Sequence, residues 1–407
     1  MKTCSFLLTL LLGTSAYALE GLNPLEAKLN EKNQTLLALK NDVAAKEQIL
    51  KSSYATFYPT LDAVAGWGED RLVDPGDRHK GYFGYLDGRL NIFRGFGDSA
   101  ISRQKELALD VAKIEHEKKQ RELRQQLIDV TSEVIFLHRL QEILVSEANV
   151  TKEHRKMAAK KVSSGLTSSV DNLEFDLREE ELSIQKRQIA QLHDEAHQKI
   201  LQLFGEDISE EILDSVQYGS FASLSSIPTY NPEKNLDLQK AQLNLQLAEQ
   251  EKKEGRAGYL PSVDFVYSFG RLTPTEESSM DFNESRYAVK LTIPLFSGFD
   301  TRHKQQAAKS FVQARKAESL QSSNDSRSAY NTLSRKISEL SDLYKINERK
   351  LETSKKYFEM TVNEYKRGIK NSPDLVTATE RWFSSQKRKY EILKELEIAQ
   401  IKIQNLN

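Results

Sequence analysis

Cysteine occurs once in this sequence, at Cys4, so neither disulfides nor cysteine catalysis can organise the 407-residue chain. Its 9 prolines and 18 glycines are few for that length and favour long helices over a turn-rich fold. Beyond the N-terminus no run reaches the roughly 18 uninterrupted apolar residues that a membrane-spanning helix requires. Charge of either sign is not in excess: 58 basic residues face 59 acidic ones, which leaves no electrostatic case for nucleic acid. No Gly-x-x-x-x-Gly-Lys-Ser/Thr loop and no nucleophile motif occur, so no catalytic, cofactor or metal site is expected and the chain does not read as an enzyme.

What is present begins with "MKTCSFLLTLLLGTSAYALE". Lys2, the apolar run Phe6 to Leu12 and the small-residue pattern Ala16-Tyr17-Ala18 together make an export signal, with the mature chain expected from Leu19. Cys4 falls inside the signal and far from its cleavage site. The protein is therefore expected to be exported, and to be either soluble or a β-type membrane protein.

Two halves of the chain then match at a nearly constant offset. "FYPTLDAVAGWG" (57–68) pairs with "YLPSVDFVYSFG" (259–270). "LNIFRGFGD" (90–98) pairs with "IPLFSGFDT", aligning Phe93 with Phe296, Gly95 with Gly298 and Phe96 with Phe299. "KKVSSGLTSSVDNL" (160–173) pairs with "YKRGIKNSPDL" (365–375), aligning Gly165 with Gly368 and Asp171 with Asp374. Each half reads as a helix, two short strands, one very long helix, a break and a further helix. The strands alternate, carry aromatics and are joined by polar loops, as hairpins are. At about ten residues they also suit a tilted transmembrane β-strand. Alternate residues such as Val64, Phe83, Tyr85, Phe265, Tyr267, Val289 and Leu291 are expected to face lipid if they do enter a membrane.

No proline interrupts 99–162 or 300–365, and roughly 64 helical residues would extend about 96 Å. Such helices need coiled-coil support. Leu123, Leu127, Val130, Val134, Leu137, Leu140 and Leu144 supply it by stepping four and three. Leu333, Ile337, Leu340, Tyr344 and Leu351 do the same across Asn347. Gly165 and Gly368 stand at C′ positions that end the long helices. Ser169 and Ser372 are the expected N-caps of the next helices, with Pro373 at N1 and Asp171 and Asp374 in the first turns. The expected fold is mainly α with a small β portion: antiparallel coiled-coil hairpins and four strands per chain, internally duplicated. The divisions are a signal at 1–18, a first repeat at 19–204 with its β-hairpin about 60–94, a linker at 205–232, and a second repeat at 233–407 with its β-hairpin about 262–297.

The prolines before each first strand, the junctions "LNIFRGFGD" and "IPLFSGFD" and the two Gly-to-Asp tips resemble the TolC family of bacterial outer-membrane efflux proteins. The resemblance covers essentially the whole mature chain. It implies a homotrimer whose twelve strands close one β-barrel in outer-membrane lipid and whose helices continue as a hollow periplasmic α-barrel. It implies a passive duct for efflux or type I secretion, recruited by an inner-membrane transporter and a periplasmic adaptor (membrane fusion) protein. Carried across residue by residue, the resemblance puts a periplasmic gate at Asp374, Asp171, Tyr365, Lys370 and Arg367. Thr377 stands where some members have a second aspartate. The tip turns at Gly165 and Gly368 become adaptor contacts, and Phe93, Gly95, Phe96, Pro294, Phe296, Gly298 and Phe299 become the strand-to-helix junctions. Pro294 marks the end of regular pairing and Gly298 the sharp redirection after it.

The competing reading is a soluble periplasmic coiled-coil scaffold without channel activity. "HDEAH" puts His193 and His197 four residues apart, but Asp194 stands where a zinc protease needs Glu, so the pair is read as a solvated helix face.

Overall fold

The computed structural model describes residues 19–20, 22–71, 78–206, 208, 216–218, 220–275 and 283–407. The expected export signal at 1–18 lies outside them, as do 209–215 of the linker. The first half contains β1 (Leu19–Glu20), α1 (Asn23–Lys32), α2 (Gln34–Ser53), β2 (Thr60–Arg71), β3 (Arg78–Arg94), α3 (Gly97–Ser163) and α4 (Val170–Phe204). After β4 (Gln217–Tyr218) and the short α5 (Phe221–Leu224) come α6 (Leu236–Ala257), β5 (Ser262–Thr275), β6 (Glu284–Thr292), α7 (Asp300–Lys366) and α8 (Ser372–Asn405). The duplication expected from sequence is thus present in the order of elements, and α3 and α7 have the same length of 67 residues. Contacts divide the chain into two compact units. One comprises Ala38–Glu117 with Leu236–Asp325, the other Met1–Leu37 with Lys118–Asn235 and Ser326–Asn407.

The first unit holds an antiparallel sheet in the order β2-β3-β5-β6, which leaves β2 and β6 as its edges. Side chains alternate between faces, so register decides what each face carries. One face collects Leu61, Trp67, Leu86, Tyr267, Phe269, Tyr287, Val289 and Leu291, all 38–77% exposed. The other carries Asp62, Asp87, Arg89, Asp264, Ser268, Arg286 and Lys290. On it Asp87 accepts from Ser268 at 2.7 Å, and Arg94 lies 3.7 Å from Asp264. Phe265, Tyr267, Val289 and Leu291 fall on the apolar face as expected. Val64, Phe83 and Tyr85 do not: their pairing puts them among the charges. The physical reason lies in the glycines opposite. A Cβ on Gly66 would come 2.5 Å from Phe83 Cζ, so the Phe83 ring lies in the space that Gly66 leaves on the polar face.

β6 ends at Thr292, two residues before Pro294, so the second hairpin stops short of the expected 297. β3, which has Asn91 in place of the proline, stays paired as far as Arg94. Each half of the unit also packs its first helix on the start of its long helix at equivalent positions. Ser53 of α2 donates to Ser102 of α3 at 3.3 Å, and Gly255 of α6 faces Gln305 of α7.

The second unit is helical. Leu123, Leu127, Val134, Leu137 and Leu144 of α3 are buried, with Val130 and Leu140 packed against them. Their partners include Leu25 and Leu29 of α1 and Leu182, Ile189 and Ile200 of α4. Ile337 and Leu340 of α7 meet Ile392, Leu396 and Ile403 of α8 in a second cluster. Asn347, which interrupts the α7 seam, is buried and satisfied: its Nδ2 donates to the Ser385 carbonyl at 3.0 Å. Among the described residues no helix is long and apolar enough to cross a membrane, which says nothing of the sheet.

Leu137 is fully buried in the α3 seam, so Leu137→Ala should remove about 2–5 kcal/mol by leaving a cavity. Chemical denaturation of the purified protein, followed by far-ultraviolet dichroism, measures this directly.

Candidate functional site at the hairpin tips and strand-to-helix turns

Both long helices end the same way. Gly165 takes φ +71° and Gly368 φ +78°. Leu166 N–H donates to the Lys161 carbonyl at 2.9 Å and Gly165 N–H to Val162 at 3.0 Å. Ile369 and Gly368 repeat both bonds to Glu364 and Tyr365 at 2.9 and 3.0 Å. This double bond pattern satisfies the last carbonyls and needs a left-handed residue, which glycine adopts without strain. The apolar residues that follow, Leu166 and Ile369, are 76% and 65% exposed at the two tips.

The starts of the next helices differ from expectation. Ser169 precedes α4 in a helical conformation and makes no cap bond. Ser168 Oγ instead accepts from Val170 N–H at 3.4 Å, and Thr167 donates to the Asp171 carboxylate. At the second tip Asn371, not Ser372, caps the helix: its Oδ1 accepts from Asp374 N–H at 3.1 Å, and Pro373 therefore sits at N2. Asparagine and serine are near-equal caps, so composition could not separate two adjacent candidates. Ser372 is buried and faces the Tyr365 hydroxyl at 3.3 Å.

Of the expected gate residues, Tyr365 is the most constrained, at 1% exposure. Its ring contacts Phe175 edge-on at 6.3 Å in a cluster with Ala158 and Leu375. Burial raises its phenol above the ordinary value; the hydrogen bond with Ser372 opposes this, and the Asp171 carboxylate adds to the rise. Lys370 and Asp374 stand 3.9 Å apart, both more than a third exposed, so this pair is weak and screened. Arg367 is exposed. The sequence reading missed Lys161. Its ammonium lies 3.8 Å above the Tyr365 ring and donates to the Tyr365 carbonyl, at the negative end of the α7 dipole. The periodic charge of α3 gave no sign that this lysine differs from its neighbours.

Further along the hairpins, the wholly buried Glu147 of α3 is bound by Arg178 of α4 and lies 3.1 Å from Lys387 of α8. Arg178 also reaches Glu181 at 2.7 Å and Glu380 of α8 at 2.8 Å. One carboxylate thus ties three helices together. His193 and His197 are not on an open face either: both are half-buried, and His193 Nε2 lies 3.0 Å from His138 Nε2. Among the described residues no group of three or more His, Cys, Asp or Glu could hold a metal ion.

At the strand-to-helix turns, two successive residues are left-handed in each half: Gly95 and Phe96 at φ +60° and +64°, Gly298 and Phe299 at +64° and +67°. Glycine accounts for the first of each pair. The phenylalanines carry strain on the order of 1–2 kcal/mol each, which sequence alone does not betray. Each is set edge-on against its neighbour, Phe93 with Phe96 at 5.1 Å and Phe296 with Phe299 at 5.4 Å.

These features describe a duplicated chain of paired long helices and a four-stranded sheet, a fold shared with solved outer-membrane proteins. It matches the outer membrane protein VceC from Vibrio cholerae at a TM-score of 0.81 and 13% identity, over 96% of this chain and 97% of that one. A membrane protein from Pseudomonas aeruginosa matches at 0.82 and 14% identity, over 95% and 90%. The Campylobacter jejuni CmeC outer membrane channel matches at 0.77 and 12% identity, over 95% and 85%. No curated protein matches at a significant level. Residues 232–406 match the family described as outer membrane efflux protein.

His154 gives this region a pH dependence. It is buried between Phe175 and Phe358, and its pKa falls from 6.5 to about 4, first through burial and then through Lys366, with Glu153 opposing. Below pH 6.5 the unfolded chain takes up a proton that the folded chain refuses until about 4. Stability is therefore complete above 6.5 and falls by on the order of 3 kcal/mol as pH drops towards 4. His154→Phe should flatten that slope in denaturation curves recorded across the range.

Proposed function

We propose that this chain is the outer-membrane exit duct of a tripartite efflux pump or a type I secretion system. The observation that carries the reading is the sheet: both edges are open and one face is apolar and exposed. In lipid an open edge leaves backbone groups without partners, so such a sheet enters a membrane only when copies close it into a barrel. Three copies, as in the family that this chain resembles, give twelve strands, with the charged face of each sheet lining the lumen. The helices extend into the periplasm as the walls of the duct. The chain is exported by removal of residues 1–18 and organised as a repeat at 19–204, a linker at 205–232 and a repeat at 233–407.

The duct is passive. Asp374, Asp171, Tyr365, Lys370 and Arg367 form its periplasmic gate, in which a ring of Asp374 carboxylates narrows the pore and favours cations. The exposed Leu166 and Ile369 beside Gly165 and Gly368 support adaptor contact at the tips, and an inner-membrane transporter supplies the cargo. The apolar sheet face weighs against a soluble scaffold, which would have to leave it in water.

Two measurements test this reading. Val289→Arg on the apolar face should cost about 2–4 kcal/mol of insertion and deplete the protein from the outer-membrane fraction, whereas Ala288→Arg on the charged face should be tolerated. Equal tolerance of both would remove the barrel. In planar bilayers Asp374→Ala should lower cation preference and change conductance; currents identical to those of the unaltered protein would take Asp374 out of the gate.

A further inference from the structure

The charged face of the sheet is not charged along its whole length. The rung Asp62↔Asp87↔Ser268↔Arg286 is polar throughout. The next rung, Val64↔Tyr85↔Gly270↔Glu284, holds a single charge. Glu284 Oε2 is turned onto β5, where it accepts from Leu272 N–H at 3.3 Å, Thr273 N–H at 3.2 Å and Thr273 Oγ1 at 3.0 Å. Gly66↔Phe83 and Gly68↔Gly81 follow, with no charge on either strand. At about 3.3 Å per residue, Val64 to Gly68 spans a band about 13 Å tall.

The inward face of a membrane barrel is ordinarily polar, so two aromatic rings and a valine depart from the pattern. Packing alone would explain a ring laid over a glycine of the facing strand. It accounts for Phe83: a Cβ on Gly66 would lie 2.5 Å from Phe83 Cζ, and one on Gly68 3.5 Å from Phe83 Cε1. It does not account for Tyr85, whose partner on β2 is Val64. On its other side, the atoms nearest to a Cβ on Gly270 are the Gly84 carbonyl oxygen and Tyr85 Cα and Cβ, not the Tyr85 ring. The two rings nevertheless stand 6.2 Å apart with a tilt of 30°, inside the range over which aromatic rings attract. Both, like Val64, are half-buried, so part of each ring stays open on this face.

We propose that Phe83 and Tyr85, with Val64 beside them, form a stacking site for flat aromatic molecules on the wall of the lumen. The proposal rests on the duct reading, in which this face lines the lumen, and deepens it by naming the chemistry that the wall retains. The glycines make the site: with no side chains at 66 and 68 the wall recedes, and the Phe83 ring lies along it instead of across the passage. A second flat ring then packs on the pair offset or edge-on. Because Glu284 is taken up by β5, the band presents rings and not charge. Asp62, Asp87, Arg89 and Arg286 next to it offer both signs, so the site selects for an aromatic ring whichever charge the molecule carries.

Planar-bilayer currents through the unaltered protein test this with four probe ions: naphthalenesulfonate against hexanesulfonate, and naphthylmethylammonium against hexylammonium. The aromatic member of each pair should reduce the current at a concentration roughly three- to tenfold lower than its aliphatic counterpart. Phe83→Leu combined with Tyr85→Leu keeps the band apolar while removing both rings, and should bring that ratio close to one. Trp67→Leu, which removes a ring from the opposite face, should leave it unchanged. A ratio near one in the unaltered channel overturns the inference and leaves the duct standing. So does a ratio that survives both leucines, one that is lost with Trp67, or one confined to a single sign of charge. A protein that carries no current overturns both.

Discussion

An outer β-strand in lipid would have nowhere to place its N–H and C=O groups, and the sheet of this chain ends in two outer strands, β2 and β6. That single requirement orders the rest of the sheet. It explains why one face is apolar and exposed while the other carries Asp62, Asp87, Arg89, Asp264 and Lys290. On the proposed duct reading four strands suffice, because a barrel closed by several copies needs only a sector from each.

The strand-to-helix turns follow from the same arrangement. A strand with period two must hand over to a helix with period 3.6 within a few residues, and both halves do so through two left-handed residues in succession. Glycine meets the first requirement at no steric cost. Phenylalanine meets the second only under strain, which the surrounding packing must hold in place. That the same Gly-Phe pair takes this conformation twice, 203 residues apart, argues that the turn geometry is a requirement of the plan and not an accident of one site.

Along the hairpins, apolar seams provide cohesion while a few buried polar groups set the alignment. Glu147 is held by Arg178 and Lys387 from two other helices, and Asn347 by a backbone carbonyl of the facing helix. Such groups contribute little net stability beside an apolar core, but displacing any one leaves a buried charge or amide unmet. At the tips, Lys161 and Tyr365 link the ends of α3 and α7 through a cation over a ring and a bond to a helix-terminal carbonyl.

Much of this was legible beforehand. The seams of α3 and α7, the glycines at 165 and 368, the four strands and the duplicated plan all follow from patterns local in sequence, where period and backbone preference act over a few residues. Less could be read where two adjacent residues were equally competent. Asn371 took the cap expected of Ser372, and Val64, Phe83 and Tyr85 lay on the charged face because pairing, not composition, sets the parity of a strand. The sequence by itself determined which segments are helix or strand, where they turn and that the chain repeats. Only the tertiary structure decided which way each strand faces, that Glu147 is buried among charges, that His193 meets His138 and that Lys161 reaches Tyr365. Those contacts join residues tens to hundreds of positions apart, and no local preference of the chain encodes such a distance.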